Sequence, residues 1–383
     1  MVKYMCGQIA VKMDAPARLR RPVPRLKSVA KTEDLMLPPG PIDHPAAWIG
    51  SDMAAHEDIW LETLTQSEID ELIDAARAFL NAGGDLGGLT AADYPLPRMG
   101  PKLRELREVL MHGRGFHLYR GLPVQDLPIE VSAGVFCGLG AHLGSARSQN
   151  AAGHILGHVK DVGLDLKDPN VRIYQTTKRQ TFHTDSTDVV GLLCLAEAME
   201  GGDSLLVSTV TLYNEMRRRH PDLWPHLFER VPTDRRGEIP TGMKPWFEIP
   251  VLNWHEGKLS GLYQRQYIDS AARHEGAPVL SDQHIAALDA WDALTNDPDL
   301  HLKMRLQPGD MQLVYNHHLM HDRTGFRDWP DPAKRRHLLR LWLALPGDRP
   351  LPPVFAERYG RIDIGDRGGI IVDGTKLCVP MAP

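Results

Sequence analysis

The segment Phe182-His183-Thr184-Asp185-Ser186-Thr187-Asp188 sets an imidazole and a carboxylate two residues apart. Side chains on a β-strand alternate with period 2, so His183 and Asp185 would point to the same face. A neutral nitrogen ligand and an anionic oxygen ligand that converge are two thirds of the facial set that binds non-heme Fe(II) and leaves coordination positions open. The ordinary alternative is a solvated or salt-bridged pair. Just downstream, Val189-Val190-Gly191-Leu192-Leu193-Cys194-Leu195-Ala196 is almost continuously apolar and predicts a buried strand, with Cys194 as a small buried hydrophobe. Polar groups at the mouth of such a strand need partners, because an unpaired buried charge is costly. A metal is one such partner; a nearby Arg or Lys is another.

A facial set needs a second histidine. The predicted strand Met311–Tyr315 leaves the turn Gln307-Pro308-Gly309-Asp310 and runs into Asn316-His317-His318-Leu319-Met320-His321-Asp322-Arg323-Thr324. Three histidines compete there, and at least one of them is expected to be an exposed loop residue. His317 and His321 have helical spacing, but a strand precedes them, which disfavours that pairing. Farther on, Arg336-His337-Leu338-Leu339-Arg340-Leu341-Trp342-Leu343 is strand-like, and Arg336, Leu338 and Arg340 share one face. Two guanidinium groups turned inward need anions. A bound carboxylate matches the guanidinium fork with two parallel hydrogen bonds, and a buried Asp or Glu would serve as well.

These residues need a scaffold. Thr65-Gln66-Ser67-Glu68 is a capping box, Ile69, Leu72, Ile73, Ala76, Phe79 and Leu80 follow helical spacing, and Gly83-Gly84 ends the helix. Helices are also predicted over 101–111, 128–143, 211–219 and 281–294, the last capped by Ser281 with Ile285, Leu288, Trp291 and Leu294 on one face. Strands are predicted over 115–122, 205–210 after the turn Gly201-Gly202-Asp203-Ser204, and 338–345, with short antiparallel strands between 230 and 270. No glycine-rich nucleotide loop follows a strand. Many short strands with helices outside them favour a mainly β fold with flanking helices (α+β), a jelly roll, over a parallel sheet. Residues 1–50, rich in Pro and holding Arg18, Arg20, Arg21, Arg25 and Lys27, read as an extended arm. Residues 51–346 read as one domain, and 347–383 as a tail that is either a lid or a surface wrap.

The chain of 383 residues is 42% hydrophobic and 24% charged, with a net charge of -5, so it can bury a sizeable core and has no basic footprint for nucleic acid. It has no apolar signal segment or membrane span, and the expectation is a cytoplasmic protein, with a homo-oligomer left open. Its four cysteines form no Cys-x-x-Cys pair, which argues against a zinc knuckle or a disulfide scaffold.

Taken in order over residues 113–345, Gly113-Arg114-Gly115-Phe116 with Arg120-Gly121-Leu122-Pro123, the His183/Asp185 pair, Gly201-Gly202-Asp203-Ser204, His321-Asp322-Arg323-Thr324 and the Arg336/Arg340 strand resemble the TauD/TfdA family of Fe(II)- and 2-oxoglutarate-dependent dioxygenases, in the clavaminate-synthase-like group. The resemblance implies a double-stranded β-helix and an iron triad of His183, Asp185 and His321. Arg336 would bind the far carboxylate of 2-oxoglutarate, Ser204 would stand where relatives often have Thr, and Arg340 would be a second arginine near the cosubstrate or a substrate anion. A carboxylate at 185 implies oxygenation, since halogenating relatives have a small residue there. The implied reaction consumes O2 and 2-oxoglutarate, releases succinate and CO2, and hydroxylates an unactivated C–H bond of a small molecule. Desaturation, cyclisation and oxidative cleavage share its early steps. A catalytically inactive binding protein is disfavoured by the intact residues, and a zinc hydrolase by the paired arginines. Gln149, Asn150, Tyr174, Arg179, Trp246, Tyr263, Arg265 and Asn316 are candidates to face the iron, each with a structural role as the ordinary alternative.

Overall fold

In the computed structural model, residues 36–164 and 171–383 are described; the basic cluster of the N-terminal arm lies outside them. The apolar run Val189–Ala196 forms the centre of a seven-stranded sheet. Met311–Tyr315 flanks it on one side and His337–Ala344 on the other. Phe116–Arg120 and Leu61–Thr63 extend one edge, while Ser145–Ala146 and Leu156–Val159 pair with His337–Ala344. A second sheet holds four antiparallel strands in the order His301–Met304, Ser204–Ser208, Leu319–Arg323, Gln180–His183.

Period-2 alternation decides what each sheet face buries. Between the sheets, Phe116, Val190, Val314, Leu338 and Trp342 of the first meet Leu206, Leu302, Met304 and Leu319 of the second. Leu205 and Val207 point the other way, onto Leu212 and Met216 of helix Thr209–Arg219 and Leu288 and Trp291 of helix Asp282–Thr295. The outer face of the larger sheet presents Leu193, Leu313, Leu339, Leu341 and Leu343 to helices Gln66–Asn81, Met99–His112 and Ile129–Leu143. Two facing sheets with helices outside make the expected jelly roll, open at its edges rather than a closed barrel.

Local differences from the predicted elements have physical causes. Helix Ile129–Leu143 forms despite its glycines because close packing needs them: a Cβ at Gly138 would lie 2.4 Å from the Tyr94 ring. The helix after Ser204–Ser208 starts at Thr209, earlier than predicted, because the Ser208 hydroxyl caps it by accepting from Thr211 N–H. Ile285 is exposed although it was expected on the buried face of its helix. The stretch 230–270 supplies two hairpins, Arg230–Asp234 with Trp246–Pro250 and Leu252–His255 with Lys258–Gly261, and then a helix, Arg265–Ala271, that was not predicted.

The tail is tied to the sheet ends by a buried charge network. Arg367, fully buried, donates from Nε to Asp188 Oδ1 at 2.8 Å and from Nη2 to Asp348 Oδ2 at 2.7 Å. Asp188 also accepts from the Leu345 amide and pairs with His317, and Asp348 accepts from the Tyr315 hydroxyl. Removing one partner of such a network strands the others. Arg367→Ala is therefore expected to destabilise the protein by about 3–5 kcal/mol, measured by denaturant unfolding. A loss within the range of an ordinary surface substitution would contradict the clamp.

Candidate active site

His183 and His321 lie directly opposite each other on the antiparallel pair Gln180–His183 and Leu319–Arg323, and their ring centroids are 4.2 Å apart. The Thr181 carbonyl can only accept, so the 2.9 Å contact to His183 Nδ1 puts the ring proton there and leaves the Nε2 lone pair facing inward. The Gln180 amide donates to that lone pair at 2.9 Å. Burial lowers the pKa of both imidazoles, that of His321 to about 3, so both are neutral donors at physiological pH.

Asp185 does not reach this point by strand alternation, as the sequence had suggested, because the strand ends at His183. Its backbone is held instead by neighbours. The Thr184 amide donates to Tyr263 O, and the Asp185 amide donates to Asn316 Oδ1, each at 2.9 Å. The carboxylate then lies 3.9 Å from His183 Nε2 and 3.7 Å from His321 Nε2, and accepts from Trp342 Nε1 at 2.8 Å. Burial alone would raise its pKa. The Arg340 guanidinium and the indole N–H hold it below the usual carboxylate range. Donor atoms of the three side chains all lie within 4.8 Å of one another.

From the two histidines a pocket runs between the sheets to Arg336, walled by Val159, Leu192 and Leu338. Arg336 and Arg323 face the same Phe326 ring, 5.3 and 4.7 Å from its centroid. Among the described residues neither forms an ion pair, and burial lowers their pKa values to about 10 and about 9. Ser204 lines this end and donates to Gln312 Oε1 at 3.1 Å. The turn makes room for the arginine: Gly202 has φ +75°, and a Cβ there would meet Arg336 Nε at 2.9 Å. Arg340 lines the same pocket near Asp185, 3.7 Å from Oδ2, with Tyr174 and Trp342 beneath its guanidinium and Gln149 Oε1 accepting from its Nε.

The competing histidines are placed elsewhere, and none is the exposed loop residue that was expected. His317 is buried against Asp188, and His318 is buried with its Nε2 2.5 Å from Arg349 Nη2. Two further groups of possible ligands occur among the described residues. In Asp188, His317 and Asp348 the Arg367 guanidinium already supplies the cation. His226, Glu229 and His284 lie away from the inter-sheet pocket.

A model of the taurine catabolism dioxygenase TauD, TfdA family matches residues 83–342. FR-33289 synthase of Streptomyces rubellomurinus (strain ATCC 31215) is 33% identical over 306 residues, covering 79% of this chain and 90% of that protein. The chain belongs to the TauD/TfdA family. The fold agrees with solved oxygenase structures. An asparagine oxygenase in complex with Fe(II), 3-hydroxyasparagine and succinate superposes with a TM-score of 0.57 at 18% identity, covering 74% of this chain and 93% of that one. The non-heme iron oxygenase OrfP with Fe and alpha-ketoglutaric acid superposes with a TM-score of 0.56 at 16% identity, with the same coverages. The enzyme is an Fe(II)- and 2-oxoglutarate-dependent dioxygenase. Its residues fit both groups: two neutral nitrogens and a carboxylate converge at one end of the pocket, and desolvated guanidiniums stand at the other, with an apolar wall between for a short aliphatic chain.

Of the other predicted candidates, Tyr174 lines the pocket, Gln149 holds Arg340, and Asn316 holds Asp185. Arg179 pairs with Asp322, Tyr263 donates to Asp292, Arg265 pairs with Asp289 and Asp292, Asn150 accepts from the His154 amide, and Trp246 is buried beneath Lys244. None of these five lines the pocket. Residues not singled out beforehand include Trp342, Gln180 and Arg323. Trp342 lay in the quoted strand at the same parity as Arg336 and Arg340, the one signal that could have marked it. The Trp342 indole, at 2.8 Å, is the hydrogen-bond donor to the Asp185 carboxylate among the described residues. Trp342→Phe is expected to weaken Co(II) binding about 10–100-fold, read by absorption titration at a temperature where the variant is folded, since the lost buried ring also lowers the melting temperature. Unchanged affinity would show that the indole does not orient the carboxylate.

Proposed function

We propose that His183, Asp185 and His321 hold Fe(II), that Arg336, with Ser204 beside it, binds the far carboxylate of 2-oxoglutarate, and that the enzyme hydroxylates a C–H bond of a small molecule. The observation that carries this reading is the pocket itself. It runs from His183 and His321, on which Asp185 converges, to a buried arginine that has no carboxylate in ion-pair contact among the described residues, over a stretch walled by aliphatic side chains. When bound, the metal and 2-oxo acid supply the oxidising power, consuming O2 and releasing succinate and CO2.

The chain's residues do the rest. Neutral imidazoles and an ionised Asp185 present lone pairs without first losing a proton. The Thr181 carbonyl and the Trp342 indole orient His183 and Asp185. Arg336 fixes the cosubstrate at its far end, which leaves the near end to lie against the metal ligands. The same pole holds Arg323, so the pocket offers two guanidiniums to one carboxylate. Arg340, at 3.7 Å from Asp185, separates this pocket from the cleft where a substrate would enter. A carboxylate at 185, rather than a small side chain, supports oxygen transfer over halogenation.

Oxygen-dependent succinate formation from 2-oxoglutarate tests the reading. Wild type should form succinate only with added Fe(II), and His183→Ala, Asp185→Ala and His321→Ala should each reduce it to background. Turnover that survives His321→Ala would remove that residue from the ligand set. Arg336→Gln deletes a charge-assisted hydrogen-bond pair worth about 1.5–3 kcal/mol, so the KM for 2-oxoglutarate should rise about 10–100-fold. A KM within twofold of wild type would mean that another cation, with Arg323 the nearest choice, holds the carboxylate.

A further inference from the structure

A second cleft opens on the other side of Arg340 and Asp185. Four arginines line it, and they come from four separate parts of the chain: Arg172 ahead of the Gln180–His183 strand, Arg236 after the Arg230–Asp234 strand, Arg340 from the central sheet and Arg358 from the tail. Glu238 neutralises Arg172, and Asp185 lies 3.7 Å from Arg340. Arg236 and Arg358 have no carboxylate within ion-pair distance among the described residues. Arg236 Nε is buried without a hydrogen-bond partner, and its Nη2 reaches only the Val171 carbonyl at 3.3 Å. Arg358 donates from Nε to the Ser186 hydroxyl at 2.8 Å and otherwise lies over Phe247. Arg236 also has φ +54°, a conformation a non-glycine residue adopts at a cost, and the Asp234 carboxylate holds it there by accepting from its amide at 2.8 Å.

We infer that this cleft binds a phosphoryl group of the substrate, a phosphate monoester or a phosphonate. This rests on the proposed iron and 2-oxoglutarate site, since the cleft adjoins Asp185. Two guanidiniums outside any ion pair among the described residues match a dianion, where a carboxylate or a sulfonate brings one charge. Arginines converging from separate segments suit a tetrahedral group with three oxygens, whereas a planar carboxylate engages one or two forks. Burial lowers the pKa of Arg358, a penalty that an anion bound beside it would relieve. An anion anchored here would place the carbon chain attached to it beside Asp185, within the reach of the metal ligands.

Calorimetric titration under nitrogen of the protein loaded with Fe(II) and 2-oxoglutarate tests the inference, with methyl phosphate, methylphosphonate, methanesulfonate and acetate as probes. The two phosphoryl probes should bind at least tenfold more tightly than the other two, and the tighter of them identifies ester or phosphonate as the source. Arg236→Gln and Arg358→Gln should each weaken phosphoryl binding at least tenfold. Arg236→Lys should recover part of the loss, which a merely structural arginine would not show. Equal affinity for acetate, or wild-type phosphoryl affinity in both glutamine variants, would overturn the inference. The loading step separates the two claims. If wild type fails to take up 2-oxoglutarate, the proposed function falls. If it does so and the phosphoryl probes do not bind, this inference alone falls.

Discussion

The antiparallel register that sets His321 opposite His183 is the constraint on which the site depends. It joins two segments far apart in the chain and fixes which face each side chain takes. On its other side the strand that carries His321 pairs with Ser204–Ser208, which sets Leu206 opposite His321 and Ser204 opposite Arg323, so the single strand Leu319–Arg323 reaches both the proposed metal end and the proposed anion end of the pocket. A slip of one residue would turn His321 and Arg323 outward and bring Met320 and Asp322 in. The outer helices enforce the register by burying Leu205, Val207 and Met320.

Electrostatics explains why so polar an interior is tolerated. Most buried charges here are paired: Arg367 with Asp188 and Asp348, Arg120 with Asp310, Arg179 with Asp322. Arg336 and Arg323 are exceptions, and desolvation lowers their pKa values. Desolvated and outside any ion pair, with Arg323 Nε and Nη1 lacking a hydrogen-bond partner, they suit the proposed anion, which would gain in the low-dielectric interior what it would not gain at the surface. The clamp around Arg367 keeps the tail against Ser148 and Ser186, and with it Arg358 at the rim of the second cleft.

The fold was legible where local pattern and burial agree. Helix Gln66–Asn81 has its capping Glu68, its apolar face and its glycine stop in consecutive sequence. The run at 189–196 is apolar on both faces because both faces are covered. Leu319–Arg323 was harder to read as a strand, since two of its three inward positions carry His321 and Arg323, with Leu319 the only apolar one. The spacing of His183 and Asp185 suggested a shared strand face, but loop contacts from Asn316 and Tyr263 position Asp185 instead. Arg172, Arg236 and Arg358 carry no local signal at all. They lie in segments without periodicity, and only the tertiary fold brings them to one cleft.

The central claim is that one pocket holds the metal and the 2-oxo acid together. The most direct measurement is anaerobic absorption spectroscopy of the protein on addition of Fe(II) and then 2-oxoglutarate. The account predicts a weak visible charge-transfer band that requires both additions and is lost in His321→Ala. Absence of the band in wild-type protein, or its persistence unchanged in His321→Ala, would contradict it.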